Sequence, residues 1–171
     1  MYQIQKASLN DAAVLSPLAI QTFLQSHGHS APQADINSYI AEKYTEEKMQ
    51  EELNESANIY HILYYNQTPA GFSKIIYDHP FTGSTANNIC KLERIYILNT
   101  YFEHKLGQPL LQYNINLAKQ QQQAGMWLYV WKENNRAVNF YGKNGFQIIG
   151  SYDFKVSATH SNPNHQMLLL F

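Results

Sequence analysis

Two hydrophobic periods alternate along the chain, and their order predicts its secondary structure. A period of two is typical of half-buried strands, whereas a period near 3.6 is typical of helices with one apolar face. The pattern predicts a strand, two helices, three strands, a helix, a strand, a helix and two final strands. The predicted strands cover residues 2–6, 59–65, 70–77, 88–98, 127–131, 146–149 and 165–171. The predicted helices begin near residues 11, 46, 109 and 135 and end near residues 23, 55, 124 and 143.

Capping residues and helix breakers mark the boundaries of these elements. Thr45 is a good N-cap, and Asn144-Gly145 supplies a left-handed stop for the last helix. Pro17 is expected either to kink the first helix or to divide it, since proline removes a helical hydrogen bond. Residues 26–33 are rich in Ser, Gly, His and Pro, and we predict a mobile loop there, beside a cleft that substrate would enter.

The segment from Trp127 to Phe146 combines a strand, a short helix and the start of a second strand. Asn134 offers an oxygen to the free amides of the helix start. Phe140 and Tyr141 follow on one helical face, so a tyrosine hydroxyl lies near the end of a short helix with well-marked limits. Without further information, core packing is the simpler explanation of these aromatic side chains.

This segment has the form V-x-x-x-N-x-x-A-x-x-F-Y-x-K-x-G-F and resembles the second acetyl-CoA motif of the GNAT N-acetyltransferases. The resemblance implies an α+β (mixed α/β) fold in one domain, residues 1–171. Its central sheet would be mixed and mostly antiparallel, with about seven strands flanked by helices, and splayed where the cofactor enters. The resemblance also implies acetyl-CoA as co-substrate and an amine as acetyl acceptor. The matching positions are Asn134, Ala137, Phe140, Tyr141, Lys143, Gly145 and Phe146.

The phosphate-binding loop of that family carries (Gln/Arg)-x-x-Gly-x-(Gly/Ala), and here only its last glycine, Gly107, is kept. Free amides at a helix start and the helix dipole favour an anion there. Phe102 replaces the usual Gln or Arg, and Lys105 replaces the first glycine. Two interpretations stay open: Lys105 and His104 give the phosphates direct charge, or the pocket is narrowed and acetyl-CoA binds weakly or not at all. The resemblance implies these cofactor-binding residues: Ile95, Tyr96, Ile97, Glu103, His104, Lys105, Leu106, Gly107, Gln108, Asn134, Phe140 and Lys143.

The family holds the pantetheine arm of the cofactor by strand-like pairing with the fourth strand, which corresponds here to Ile95, Tyr96 and Ile97. Such pairing needs a strand edge with unpaired amides and carbonyls. The alternative is that these residues simply complete the sheet. Asn134 is implied to help hold the same arm, and the backbone amide of Tyr96 or Ile97 would stabilise the oxyanion that forms during acetyl transfer.

Acetyl transfer from a thioester to an amine needs a neutral amine, oxyanion stabilisation and a proton for the departing thiolate. The resemblance places Tyr141 near the sulfur as proton donor, and a phenol with a pKa of about 10 is protonated at neutral pH. Core packing is the alternative role for Tyr141. Glu93 is the candidate base, acting through water because a carboxylate is a weak base for an ammonium. Otherwise Glu93 forms a surface ion pair with Arg94 or Lys91.

Composition narrows the function further. The 171 residues carry a formal net charge of -1, so the basic field that nucleic acid requires is missing. Neither end shows the long apolar run of a membrane helix or a leader, and we expect a cytoplasmic protein. The single cysteine, Cys90, falls in an apolar strand pattern and is expected to be a buried thiol. His27 and His29 lack a third ligand nearby, so we expect no metal.

The acceptor is harder to infer from the residues. Six glutamates between residues 42 and 55 would attract a polycation if they lay near the cleft, although such a run is usually a solvated helix face. The segments TFLQSHGHS, YTEEKMQEEL and KLERIYIL are similar to those of bacterial spermine/spermidine acetyltransferases. A small-molecule primary amine is therefore expected, and a polyamine is the hypothesis.

Several questions of class and assembly stay open at this point. A non-catalytic acyl-CoA-binding module and an interaction protein with an occluded pocket are the main rivals to an enzyme. Members of the resembled family often pair, so a homodimer is also open.

Overall fold

The computed structural model describes residues 1–171, with seven strands, five α-helices and two short 3₁₀ helices. The strands are β1 (Tyr2–Lys6), β2 (Ile59–Tyr65), β3 (Thr68–Ile76), β4 (Cys90–Ile97), β5 (Gly125–Trp131), β6 (Gln147–Lys155) and β7 (Ser161–Leu170). The α-helices are α1 (Ala12–His27), α2 (Gln33–Lys43), α3 (Glu46–Asn54), α4 (Gly107–Gln120) and α5 (Asn135–Lys143). The 3₁₀ helices cover Leu9–Asp11 and Asn99–His104.

All seven strands form one sheet in the order β1-β2-β3-β4-β5-β7-β6. Every neighbouring pair is antiparallel except β4 and β5, which run parallel and are connected through α4. One buried apolar cluster joins α1, α2 and α3 to the sheet, and a second joins α4 and α5 to it. The predicted α+β fold, with a mixed and mostly antiparallel sheet flanked by helices, is therefore confirmed.

The structure contains one helix that the sequence pattern did not predict. Only Ile36 is buried in α2, so this helix lacks the apolar stripe by which a helix is identified. The first helix also runs further than predicted, to His27, and it contains Pro17 without being divided. The loop predicted over residues 26–33 is therefore shorter than expected, because only residues 28–32 connect α1 to α2.

The parallel strands β4 and β5 separate soon after they begin. Their residue pairing ends at Lys91 and Trp127. A bulge follows at once, because Glu93 of β4 has no partner residue on β3. A bulge bends its strand and increases the local twist. The rest of β4, residues 92–97, stays paired with β3 on one side but faces no strand on the other.

Cys90 lies in the short part of β4 that pairs with β5. Its side chain is fully buried, and the thiol donates to the carbonyl of Gly125 at 3.3 Å. Burial raises the pKa of this thiol to about 12. The buried thiol expected from the sequence is confirmed.

A partly buried ionic network fixes α3 to the sheet beside the bulge. The Glu52 carboxylate accepts hydrogen bonds from Lys74 Nζ at 2.7 Å, from Nη1 and Nη2 of Arg94 at 3.2 Å each, and from the Tyr60 hydroxyl. Burial alone would raise the pKa of Glu52, but Arg94, Lys74 and Tyr60 outweigh it and hold that pKa below its usual value. The other five glutamates between residues 42 and 55 are exposed.

Replacing Glu52 by glutamine is expected to lower the free energy of unfolding by about 3 kcal/mol, because two buried cations lose their counter-ion. Urea unfolding at neutral pH measures this loss. The matched control is Glu51→Gln on the same helix, which removes only an exposed ion pair with Lys48 and should leave the urea midpoint unchanged. Equal midpoints for the Glu52 variant and the control would show that the network contributes nothing.

The same network predicts a pH dependence of stability. The folded protein holds the pKa of Glu52 below the unfolded value of about 4.3, so its contribution is fully present well above pH 4.3. The contribution is lost as the pH falls through the folded pKa. The stability difference between the wild type and Glu52→Gln should therefore shrink below about pH 4.

Candidate active site

The separation of β4 from β5 opens a cavity of about 1120 Å³. Its walls come from the end of α1, the open side of β4, the start of α4, the end of β5, α5 and parts of β6 and β7. Most of the site residues predicted from the sequence line it: Glu93, Ile95, Tyr96, Ile97, Lys105, Leu106, Gly107, Gln108, Asn134, Phe140 and Tyr141.

Three predicted cofactor-binding residues lie outside this cavity. His104 stacks on Tyr65 of β2, with ring centroids 4.4 Å apart. Glu103 is exposed in the same 3₁₀ helix, and Lys143 is exposed at the end of α5. The sequence motifs give the positions of these residues along the chain, but the direction of each side chain depends on how its helix packs.

The start of α4 presents free backbone N–H groups to the cavity. The amides of Leu106 and Gly107 donate to no group of the chain, whereas the amide of Gln108 donates to the carbonyl of Lys105 at 3.2 Å. Lys105 adopts the left-handed conformation, with φ of 53°. Glycine would adopt this conformation without the steric cost that a side chain adds. The loop therefore keeps a glycine-type turn and adds a cation to it.

A second cation stands at this end of the cavity, and the sequence analysis missed it. The guanidinium of Arg136, in the first turn of α5, lies over the ring of Phe102 with Cζ 3.0 Å from the ring centroid. Phe102 occupies the loop position where the resembled family has Gln or Arg, and Arg136 of α5 places a cation beside that position. Arg136, Lys105 and the free amides of α4 form a group of donors suited to phosphate.

The open side of β4 carries a defined set of unpaired backbone groups. The amide of Leu98 donates to the carbonyl of Ala70 on the β3 side. Successive residues of an antiparallel strand direct their N–H groups to opposite sides. The amides of Ile95 and Ile97 therefore point toward the cavity, and that of Tyr96 points toward β3. Of the two amides considered for the oxyanion, only that of Ile97 faces the right way.

Tyr141 lies in the wall that α5 forms. Asn134 fixes the start of α5, because its side-chain oxygen accepts a hydrogen bond from the amide of Ala137 at 3.1 Å. Phe140 and Phe146 pack against the Tyr141 ring, which is 8% exposed. Burial raises the pKa of Tyr141, so its phenol keeps its proton at neutral pH. The hydroxyl makes no hydrogen bond within the chain and is free to donate to a bound molecule.

Glu93 lines the cavity, but it forms an ion pair with Lys91, with Oε2 2.6 Å from Nζ. Burial alone would raise the pKa of Glu93, but Lys91, Lys74 and Arg94 outweigh it and hold that pKa below its usual value. A carboxylate that is paired with a cation accepts a proton less readily than a free one. The ion pair that the sequence left open is therefore present, and it disfavours Glu93 as the base.

Aromatic rings wall the other end of the cavity. They come from α1, α2 and the ends of β4, β5 and β6, which are far apart in sequence, so no local motif could reveal the cluster. The only carboxylates that line the cavity are those of Glu93 and Glu133, and none comes from α3. The aromatic residues at this end, including those that directly follow α1 and α2, are Phe23, His27, His29, Tyr39, Tyr44, Tyr96, Tyr129, Trp131, Tyr152 and Phe154.

The cavity has the layout expected of an acetyl-CoA site, and comparison with known proteins agrees with it. The Acetyltransferase (GNAT) family matches residues 24–146, which is most of the chain. The chain belongs to the GNAT acetyltransferase family. It is therefore an N-acetyltransferase, and the interaction protein with an occluded pocket is not supported.

Similar proteins cover nearly the whole GNAT chain. A spermidine N(1)-acetyltransferase of Thermoplasma acidophilum is 27% identical over 150 residues, which are 85% of this chain and 88% of that protein. An uncharacterised N-acetyltransferase of Lactobacillus delbrueckii subsp. lactis is 22% identical over 152 residues, 89% of this chain and 88% of the relative. The crystal structure of the PaiA N-acetyltransferase from Thermoplasma acidophilum, in complex with coenzyme A, has a TM-score of 0.79 and 24% identity, and it covers 100% of this chain and 99% of the other.

Lys105→Gly is expected to stabilise the fold and weaken acetyl-CoA binding. Relief of the left-handed strain adds up to about 1 kcal/mol, while loss of the charge raises the Kd for acetyl-CoA about fivefold. Thermal unfolding and calorimetric titration measure the two effects. Gln122→Gly is the matched control, because Gln122 has φ of 55° and lies outside the cavity. It should gain stability without a change in Kd, and an equal Kd for both variants would rule out a role for the Lys105 charge.

Arg136→Ala is expected to raise the Kd for acetyl-CoA about fivefold, because one charge-assisted contact to phosphate is lost. Lys143→Ala on the same helix should leave this Kd unchanged, since Lys143 is exposed outside the cavity. Calorimetric titration with acetyl-CoA measures the Kd of each variant. If only Lys143→Ala binds acetyl-CoA more weakly, Lys143 contacts the cofactor as the sequence motif implies, and Arg136 does not.

Proposed function

We propose that this GNAT protein transfers the acetyl group of acetyl-CoA to the primary amine of a small molecule, by direct attack in a ternary complex. The proposal treats residues 1–171 as one acetyltransferase domain. One observation carries it: the divergence of β4 from β5 brings the open β4 edge, the free amides of α4 and the Tyr141 hydroxyl into one cavity. Acetyl-CoA would supply the activated acetyl group as a thioester.

The residues of the cavity would divide the work of binding acetyl-CoA. Lys105, Arg136 and the amides of Leu106 and Gly107 would hold the phosphates at the start of α4. The backbone of Ile95 and its neighbours would pair with the amide groups of the pantetheine arm, as an added strand pairs with a sheet edge. Asn134 and Phe140 line the cavity between these two regions and would flank the arm.

Two groups would act on the reacting atoms. The amide of Ile97 would donate to the acetyl oxygen as negative charge develops on it, which is the usual function of an oxyanion hole. The Tyr141 hydroxyl would give its proton to the thiolate as the carbon–sulfur bond breaks. Because burial keeps Tyr141 protonated, this proton is available at neutral pH.

A polyamine is the acceptor class that we propose to test first. The support is the 27% identity to a protein named for spermidine, together with the aromatic end of the cavity, since aromatic faces attract ammonium groups. The run of glutamates gives no such support, because its members do not line the cavity.

None of the helices combines the length and apolar character that a bilayer crossing requires. The cytoplasmic location and the homodimer stay predictions.

Tyr141→Phe is expected to lower kcat about 100-fold with little change in the Kd for acetyl-CoA, because one hydroxyl on the proton path is lost while the ring remains. The assay follows coenzyme A release with a panel of spermidine, spermine, putrescine, tyramine and an aminoglycoside. Turnover of the last two alone would exclude the polyamine acceptor.

The control for this variant is Tyr113→Phe, which also removes one phenol oxygen but lies on α4 outside the cavity. It should keep wild-type kcat. A Tyr141→Phe enzyme as active as this control would remove Tyr141 from the mechanism. A wild type that binds acetyl-CoA but acetylates no amine of the panel would support a non-catalytic acyl-CoA-binding module instead.

A further inference from the structure

His27 lies across the gap between β4 and β5. It is the last residue of α1, and its ring lies 6.1 Å from that of Tyr96 on β4 and 5.9 Å from that of Trp131 on β5, between centroids. Phe23, one helical turn earlier, stacks on the imidazole at 5.2 Å and fixes its plane. No third ligand joins His27 and His29 to form a metal site. The imidazole thus lines the cavity between the two strands.

Ser26 contacts one ring nitrogen of His27 and leaves the other free. Ser26 Oγ lies 2.7 Å from His27 Nδ1, 2.8 Å from the carbonyl oxygen of Thr22 and 3.2 Å from that of Phe23. Two arrangements fit this geometry: the hydroxyl donates to Nδ1, or it donates to a carbonyl and accepts from Nδ1–H. In the second arrangement, the lone pair of the neutral imidazole is on Nε2, which has no partner within the chain.

The imidazole is neutral under ordinary conditions. Burial lowers the pKa of His27 to about 4, and His29 acts in the same direction. The titratable groups near the ring are His29, two residues further along the chain, and Tyr96 from β4, and the nearest ring of β5, Trp131, does not titrate. Unlike Glu93, whose carboxylate is paired with Lys91, His27 has an acceptor nitrogen that no cation of the chain occupies.

We propose that His27 Nε2 accepts the proton that the acceptor amine loses when its nitrogen attacks the acetyl carbon. The proposal rests on the proposed function. The new nitrogen–carbon bond forms and the carbon–sulfur bond breaks. The amine proton passes to Nε2, and the leaving thiolate takes its proton from Tyr141. The imidazolium then returns its proton to the Tyr141 phenolate, directly or through water, so the protein is unchanged after one turnover.

This assignment gives the two ends of the cavity complementary tasks. The amine would approach from the aromatic end, where the end of α1 meets β4 and β5. The acetyl group would lie along the open edge of β4. Ser26 acts on the substrate only through the imidazole, and in this assignment it is a positioning residue that accepts from Nδ1–H.

The test compares His27→Gln and His27→Phe with the wild type, using the panel amine that gives the highest kcat/KM. Both variants should lose about 100-fold in kcat, because neither presents a basic nitrogen, although phenylalanine keeps the stacking on Phe23. The thermal shift produced by acetyl-CoA should be retained, which shows that both variants fold and bind. His79→Gln, an exposed histidine outside the cavity, is the control and should keep wild-type kcat.

Chemical rescue separates a proton acceptor from a packing residue. Adding imidazole to His27→Ala should raise kcat at least tenfold, whereas imidazole should have no effect on Tyr141→Phe. Ser26→Ala should lower kcat about threefold to tenfold, and this loss should be absent in the His27→Phe background, because Ser26 acts only through the imidazole.

The outcomes distinguish this proposal from the proposed function. A His27→Phe enzyme that keeps kcat within threefold of an active wild type would overturn the role of His27 and leave the acetyltransferase intact. Failure of imidazole to rescue a folded His27→Ala enzyme would assign the ring to packing alone. A wild type without turnover on any amine would overturn both proposals.

Discussion

The site depends on one interruption of backbone pairing. In a continuous sheet, the parallel strands β4 and β5 would bond along their length and leave no room for a ligand. Glu93 is the extra residue in β4, and the strand bends away from β5 just after the last paired residue, Lys91. The backbone groups beyond the bulge are thereby left for a ligand to satisfy. The same bend gives α4, α5 and the end of α1 access to one cavity.

Charge is distributed so that the two ends of this cavity favour different molecules. At the start of α4, Lys105, Arg136 and free amides favour an anion. At the opposite end, the aromatic surface carries no free cation of its own, because Arg94 is bound to Glu52 within the network that fixes α3. Removing Glu52 would therefore disturb the cavity as well as the fold, since an unpaired guanidinium would then face the place where a cationic amine would enter.

Helix caps and apolar periods predicted the features that depend on neighbouring residues. They did not predict the features that depend on contacts between residues far apart in the sequence. Caps such as Thr45 and Asn134 are set by a few neighbouring residues, so the starts of their helices could be predicted from the sequence. The helix α2 could not, because Ile36 is its one buried residue and leaves no apolar stripe. The contact of Arg136 with Phe102 joins residues 34 positions apart, from separate helices, and no period in the sequence encodes it.

Cys90 gives the chain a chemical property that matters for the reaction proposed here. Each turnover would release a free thiol, and thiols exchange with other sulfur groups only through the thiolate form. The only cysteine of the chain is fully buried, and its pKa of about 12 keeps it protonated at physiological pH. In the folded protein, Cys90 is thus protected from mixed-disulfide formation with the product of the reaction.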